Sequence, residues 1–152
     1  MDEIPAAARS PAVSWLKAVA IGLTFLLLAF AGGMIAMELA SRRAQNAASS
    51  IVWQFAPGRP SRNFLARGRS LGADRFTLEP GEGPERSGAR LSLERRSKDF
   101  AARWDTFESD YERIDSGAAE VTFNGAPPFE RQICRIEFKN GAVVSMRRGA
   151  LN

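Results

Sequence analysis

The sequence predicts an α+β protein: a single N-terminal transmembrane helix, then a small domain with one amphipathic helix packed on an antiparallel sheet. Three observations predict this. Residues 18–37 read AVAIGLTFLLLAFAGGMIAM, twenty positions without a charge. Phe100, Trp104, Phe107, Tyr111 and Ile114 recur at spacings of four, three, four and three, the period of a helix face. Short alternating segments bounded by Gly, Pro and Asn flank that stretch and read as strands.

The apolar run comes first. As a helix, twenty residues rise roughly 30 Å, the thickness of a bilayer hydrocarbon core. Lys17 and Glu38 bracket it, and Trp15 stands where an interfacial aromatic is expected. Counting these flanks, residues 15–38 form the predicted transmembrane helix and residues 1–14 a short polar tail. A cleaved signal peptide is the competing reading, with Ala29-Phe30-Ala31 as a small-x-small site before Gly32. Against it, the run continues through Met34, Ile35 and Met37, and the leading segment carries Asp2 and Glu3. Within the run Ala29, Gly32, Gly33 and Ala36 recur at small-xxx-small spacing, which lets helix backbones approach closely and marks a candidate helix-packing face. Thr24 is the one polar side chain there, so a transport path through this helix alone is unsupported.

Orientation follows weakly from charge. Arg9 and Lys17 precede the run, while Arg42 and Arg43 follow it, a tie under the positive-inside rule. The signal-like N-terminus tips the expectation towards an exported, periplasmic domain anchored in a cell inner membrane.

Residues 39–73 hold six arginines (Arg42, Arg43, Arg59, Arg62, Arg67 and Arg69) and no acid. Trp53, Phe55 and Phe64 are interleaved, and Pro57-Gly58-Arg59-Pro60 interrupts regular structure. This reads as a basic juxtamembrane arm that meets anionic lipid or an acidic partner surface. An arginine-favouring composition (18 Arg against 3 Lys) is the plain alternative. No nucleic-acid-binding fold accompanies the charge, so no nucleic acid is expected.

The folded domain is expected over 74–152. Strands are predicted at 75–79 and 89–95 around a turn at 80–84, then a helix capped by Ser97 and running to about Asp115, with Gly117 as its stop. Its outer side carries Asp105, Glu108, Glu112 and Asp115, read as a solvated face rather than a cation ridge. Three strands follow at 120–123, 132–138 and 142–148, and Asn140-Gly141 marks the last hairpin. A three-residue loop (139–141) would place Phe138 opposite Ala142, Ile136 opposite Val144 and Cys134 opposite Met146, one wholly apolar face.

Chemistry is bounded by absences. The chain has no histidine, the usual general base and metal ligand, and its one cysteine, Cys134, permits no intrachain disulfide. No phosphate loop, dinucleotide fingerprint or nucleophile elbow occurs, so no catalytic, cofactor or metal residue is assigned and none is expected. The expectation is a non-enzymatic accessory or scaffold subunit that partners other membrane proteins. The alternative is a membrane-tethered sensor with a small ligand pocket.

Overall fold

The computed structural model describes residues 11–81, 90–125 and 131–151. The fold is α+β, and the chain divides into two units, Met1–Ala36 and Met37–Asn152. Helix α1, Pro11–Gln54, is 44 residues long and runs through the boundary. Pro11 opens it, where a missing N–H costs nothing and the fixed φ suits the first turn. In the first unit the helix is apolar and exposed from Trp15 onward, and it is long and apolar enough to cross a membrane.

In the second unit α1 behaves differently. Ala44, Ala47, Ala48, Ile51 and Phe55 are buried at helical spacing, whereas Arg42, Gln45, Asn46 and Trp53 face solvent. The alanines bring the helix close to the sheet, so that the Cys134 thiol donates to the Ala48 carbonyl at 3.6 Å. After Pro57 the chain crosses the sheet edge and forms α2 (Phe64–Ser70), with Phe64, Leu65 and Gly68 buried. The reading of 39–73 as an arm outside the fold is thus corrected: Phe55, Phe64 and Leu65 belong to the same core cluster as the sheet residues. Burying them removes several large apolar side chains from water, at roughly 1.5–3 kcal/mol each, while Arg59, Arg62 and Arg69 stay exposed.

Five antiparallel strands follow: β1 (Arg75–Pro80), β2 (Leu91–Glu94), β3 (Ser116–Phe123), β4 (Arg131–Lys139) and β5 (Ala142–Leu151). They lie in the order β2-β1-β3-β4-β5. Between β2 and β3 runs α3, Phe100–Glu112. The expected strand-strand-helix-strand-strand-strand order is present. Residues 82–89 fall outside the described residues, and with them most of the predicted 80–84 turn and the start of the predicted second strand.

The inner face of the sheet is read directly from the register. One row runs Leu93, Phe76, Val121, Cys134, and the next runs Leu91, Leu78, Ala119, Ile136, Met146. Onto this face pack Ala48 and Ile51 of α1, Phe64 and Leu65 of α2, and Trp104, Phe107 and Tyr111 of α3. Edge-to-face aromatic pairs join the layers, Phe76–Trp104 at 4.8 Å, Phe55–Phe64 at 5.2 Å and Tyr111–Phe138 at 5.3 Å. Such pairs contribute about 0.5–1.5 kcal/mol each beyond burial. The segment between α1 and α2 is tied to the sheet edge: Gly58 N–H donates to the Val143 carbonyl and Val143 N–H to the Arg59 carbonyl, both at 2.8 Å. The Tyr111 hydroxyl donates to the Ser61 carbonyl at 2.6 Å, fixing α3 to the same segment.

Three local expectations are corrected. The helix α3 is shorter than 97–115: Asp99 is its N-cap and Arg113 its C-cap, while Ser97 precedes it without capping it. Gly117 is no helix stop; it lies in β3 opposite Pro80, where a Cβ would come within 2.4 Å of the Glu79 carbonyl oxygen. The last hairpin turns on two residues, not three. Asn140 (φ 53) and Gly141 (φ 72) both take the left-handed conformation of a type I′ turn, pairing Lys139 with Ala142 and Phe138 with Val143. A bulge then leaves Val144 as the extra residue, so Ile136 faces Met146 and Cys134 faces Arg148. The turn chemistry wins at the tip and the bulge restores the apolar alternation two residues later. Cys134 is buried as expected, but Met146 is not its partner.

Candidate functional site

Four features could carry function: the apolar half of α1, the arginines between residues 39 and 73, the outer face of the sheet, and the lone thiol. In the apolar half, Phe25 and Phe30 are about seven-tenths exposed, and Ala29, Gly32, Gly33 and Ala36 are all at the surface. A Cβ added at Gly32 or Gly33 would meet nothing within 4 Å, so among the described residues no other segment uses their small size. The four-residue spacing of small side chains continues to Ala40, Ala44 and Ala48. Of these, Ala44 and Ala48 pack in the domain core, so the same device serves close packing there.

The arginines are dispersed rather than gathered into one strip. Arg42 pairs with Glu38 one turn earlier at 2.8 Å, both exposed, which contributes little. Arg43 lines a cleft of about 270 Å³ with Leu71, Asp74 and Asn124. Arg59 and Arg62 face solvent on the segment between α1 and α2. Arg67 donates from Nε to the Gln54 side chain at 2.9 Å, which ties α2 to the end of α1. The Arg69 guanidinium stands 4.7 Å from the Trp104 ring centre and 5.6 Å from that of Phe100, tying α2 to α3. Such cation–π contacts contribute about 0.5–2 kcal/mol. Two of the six predicted contact arginines therefore hold helices together. In the same stretch Trp53 is 84% exposed, the most exposed large apolar side chain among the described residues.

A charge cluster unmarked by any sequence motif lies on the outer face of the sheet. Arg135 of β4 donates to Glu79 of β1 at 2.5 Å and stands 3.9 Å from Glu120 of β3. Arg90 approaches the same two carboxylates at 3.3 and 3.7 Å. The Arg135 hydrogen bond holds the Glu79 carboxyl below the usual carboxylate range, and Glu79 raises Arg135 in turn. An ionised, twice-paired carboxylate makes a poor proton donor; the cluster suits clamping three strands. Only the pairing of β3 with both β1 and β4 brings these residues together, since 56 positions separate Glu79 from Arg135.

The thiol of Cys134 is fully buried, and burial pushes it up to about 11. The thiolate needed for nucleophilic or redox chemistry is therefore disfavoured near neutral pH. Burial likewise raises Tyr111, whose hydroxyl is already committed to Ser61. The predicted acids follow the solvated-face reading: Asp105 and Glu112 of α3 and Asp115 just beyond its end are exposed, and Glu108 accepts a hydrogen bond from the Trp104 indole at 2.8 Å. Among the described residues no group of three or more acids and thiols is placed to hold a metal ion.

Comparison with protein-family models, with curated proteins and with solved structures finds no match to this chain.

Proposed function

We propose that the protein is a single-pass, membrane-anchored accessory or scaffold module of an inner-membrane protein assembly, acting through its surfaces rather than by catalysis. One observation carries the reading: no residue of the apolar window in α1 is buried by the rest of the chain. A contiguous exposed apolar helix of this length is unstable in water and requires lipid or protein around it. The small residues Ala29, Gly32, Gly33 and Ala36 support a neighbouring membrane helix as part of that surrounding. The domain is assigned to the exported side on the signal-like character of the N-terminus.

Alkaline extraction of membranes, combined with intact-mass measurement, tests this reading. The expected result is a full-length species that stays with the membrane pellet until detergent is added. A mature species beginning at Gly32 and released in soluble form would refute the anchor. The α1 residues that pack in the core, from Ala44 onward, would survive such cleavage, so an exported soluble domain is the reading that replaces it.

A further inference from the structure

The domain presents unpaired charge of both signs on different helices. On α1 the exposed Trp53 is flanked by two pinned guanidiniums. Arg148, reaching over from β5, donates from Nη1 to Ser49 Oγ at 2.9 Å and from Nε and Nη2 to Gln132 Oε1 at 3.1 and 3.0 Å. Arg67 of α2 donates to Gln54. Ser49 lies one turn before Trp53 and Gln54 directly after it, so both guanidiniums are held to the part of α1 that carries the exposed indole. Among the described residues neither guanidinium has a carboxylate within ion-pair distance, and no cation stands within that distance of Asp105 and Glu112 on the outer side of α3 or of Asp115 just beyond its end. The two surfaces are carried by different helices, which cover different strands. Helix α1 packs over Cys134 of β4, α3 packs over Phe76 of β1, and α2 stands against α3 through Arg69.

We propose that the domain pairs with a second copy of itself, Trp53 with Arg67 and Arg148 of one copy seating on the acidic face of α3 of the other. Tryptophan and arginine dominate the energetics of protein interfaces, and guanidiniums already held in place lose less freedom on meeting carboxylates. A lipid surface fits this patch less well. Helices that lie in a membrane interface present a broad apolar face, whereas Trp53 is surrounded on α1 by Asn46, Ser49, Ser50 and Gln54. The pairing does not depend on whether the N-terminal helix spans a membrane.

The test uses the full chain in mild detergent, with mass by light scattering across protein and salt concentrations. The wild type is expected to form a dimer that weakens with salt, and Trp53→Ala is expected to weaken it by about tenfold or more. Two charge-reversed variants complete the design, one carrying Arg67→Glu and Arg148→Glu, the other Asp105→Arg and Glu112→Arg. Each alone should be monomeric with an unchanged circular dichroism spectrum, and mixing the two should restore a one-to-one pair. A monomeric wild type overturns the proposal. So does a dimer indifferent to salt and to Trp53→Ala, which assigns association to the apolar helix, and so does failure of the mixed variants to pair.

Discussion

Replacing Ile51 with Ala asks whether the second half of α1 is core. Ile51 is fully buried in the cluster that joins α1 to the sheet. Truncating a buried isoleucine to alanine removes its transfer free energy and leaves a cavity, together about 2–5 kcal/mol. Alanine is the better helix former by a few tenths of a kcal/mol, so the net loss is about 2–4 kcal/mol. Against a typical total of about 5–15 kcal/mol, that is a large fraction. At roughly 4 °C per kcal/mol for a unit of this size, the melting temperature should fall by about 8–16 °C. Urea and thermal unfolding of the full chain in mild detergent, followed by near-ultraviolet circular dichroism, reads the domain's packing without needing the apolar helix to unfold. Ile51→Val should lose only about 0.5–1.5 kcal/mol. Gln45→Ala, on the exposed side of the same helix, should stay within about 0.5 kcal/mol. If Ile51→Ala were as neutral as Gln45→Ala, α1 beyond Met37 would not be part of the core and the packing described above would be wrong.

Gly68 is the closest contact of α2 with the sheet: a Cβ there would lie 2.6 Å from Cγ1 of Val121. Gly68→Ala should therefore destabilise by about 1–3 kcal/mol through overpacking, less up to about 1 kcal/mol of regained helix propensity; a stabilised variant would show that α2 does not sit on β3. The Cys134 thiol should resist labelling by a thiol reagent in the native protein and react at once on unfolding; rapid native labelling would mean that the hairpin register is wrong. Burial raises its folded pKa to about 11 from an ordinary value of 9.0, so the native state holds the proton longer than the unfolded chain. Its contribution is complete below about pH 9 and is lost as pH rises towards 11, and Cys134→Ala should flatten the stability profile across that window.

Much of the architecture follows from local pattern. The uncharged run, the aromatic stripe of α3 and the alternation in the strands each depend on residues close together in the chain. These specify an apolar helix long enough to cross a membrane, an α+β domain and the order of its strands and α3. Failures occur where the deciding contact is distant. Residues 39–73 look like a basic arm because arginine dominates their composition. Yet Ala44, Ala48, Ile51, Phe55, Phe64 and Leu65 recur at buried spacing once a sheet is there to receive them. That apolar subset was the available signal, and α2 escaped because seven residues, a glycine and two arginines among them, are too few to display a helical period. At the last hairpin, apolar alternation and turn preference pointed to different loop lengths. A bulge at Val144 satisfies both, a solution invisible to any rule that assumes continuous pairing. The Glu79–Arg135–Glu120 cluster and the Arg67–Trp53–Arg148 surface exist only because strand pairing and helix packing unite distant positions. Periodicity along the chain determines which face of an element is apolar; tertiary packing alone decides what that face meets and which charges are left unpaired at the surface.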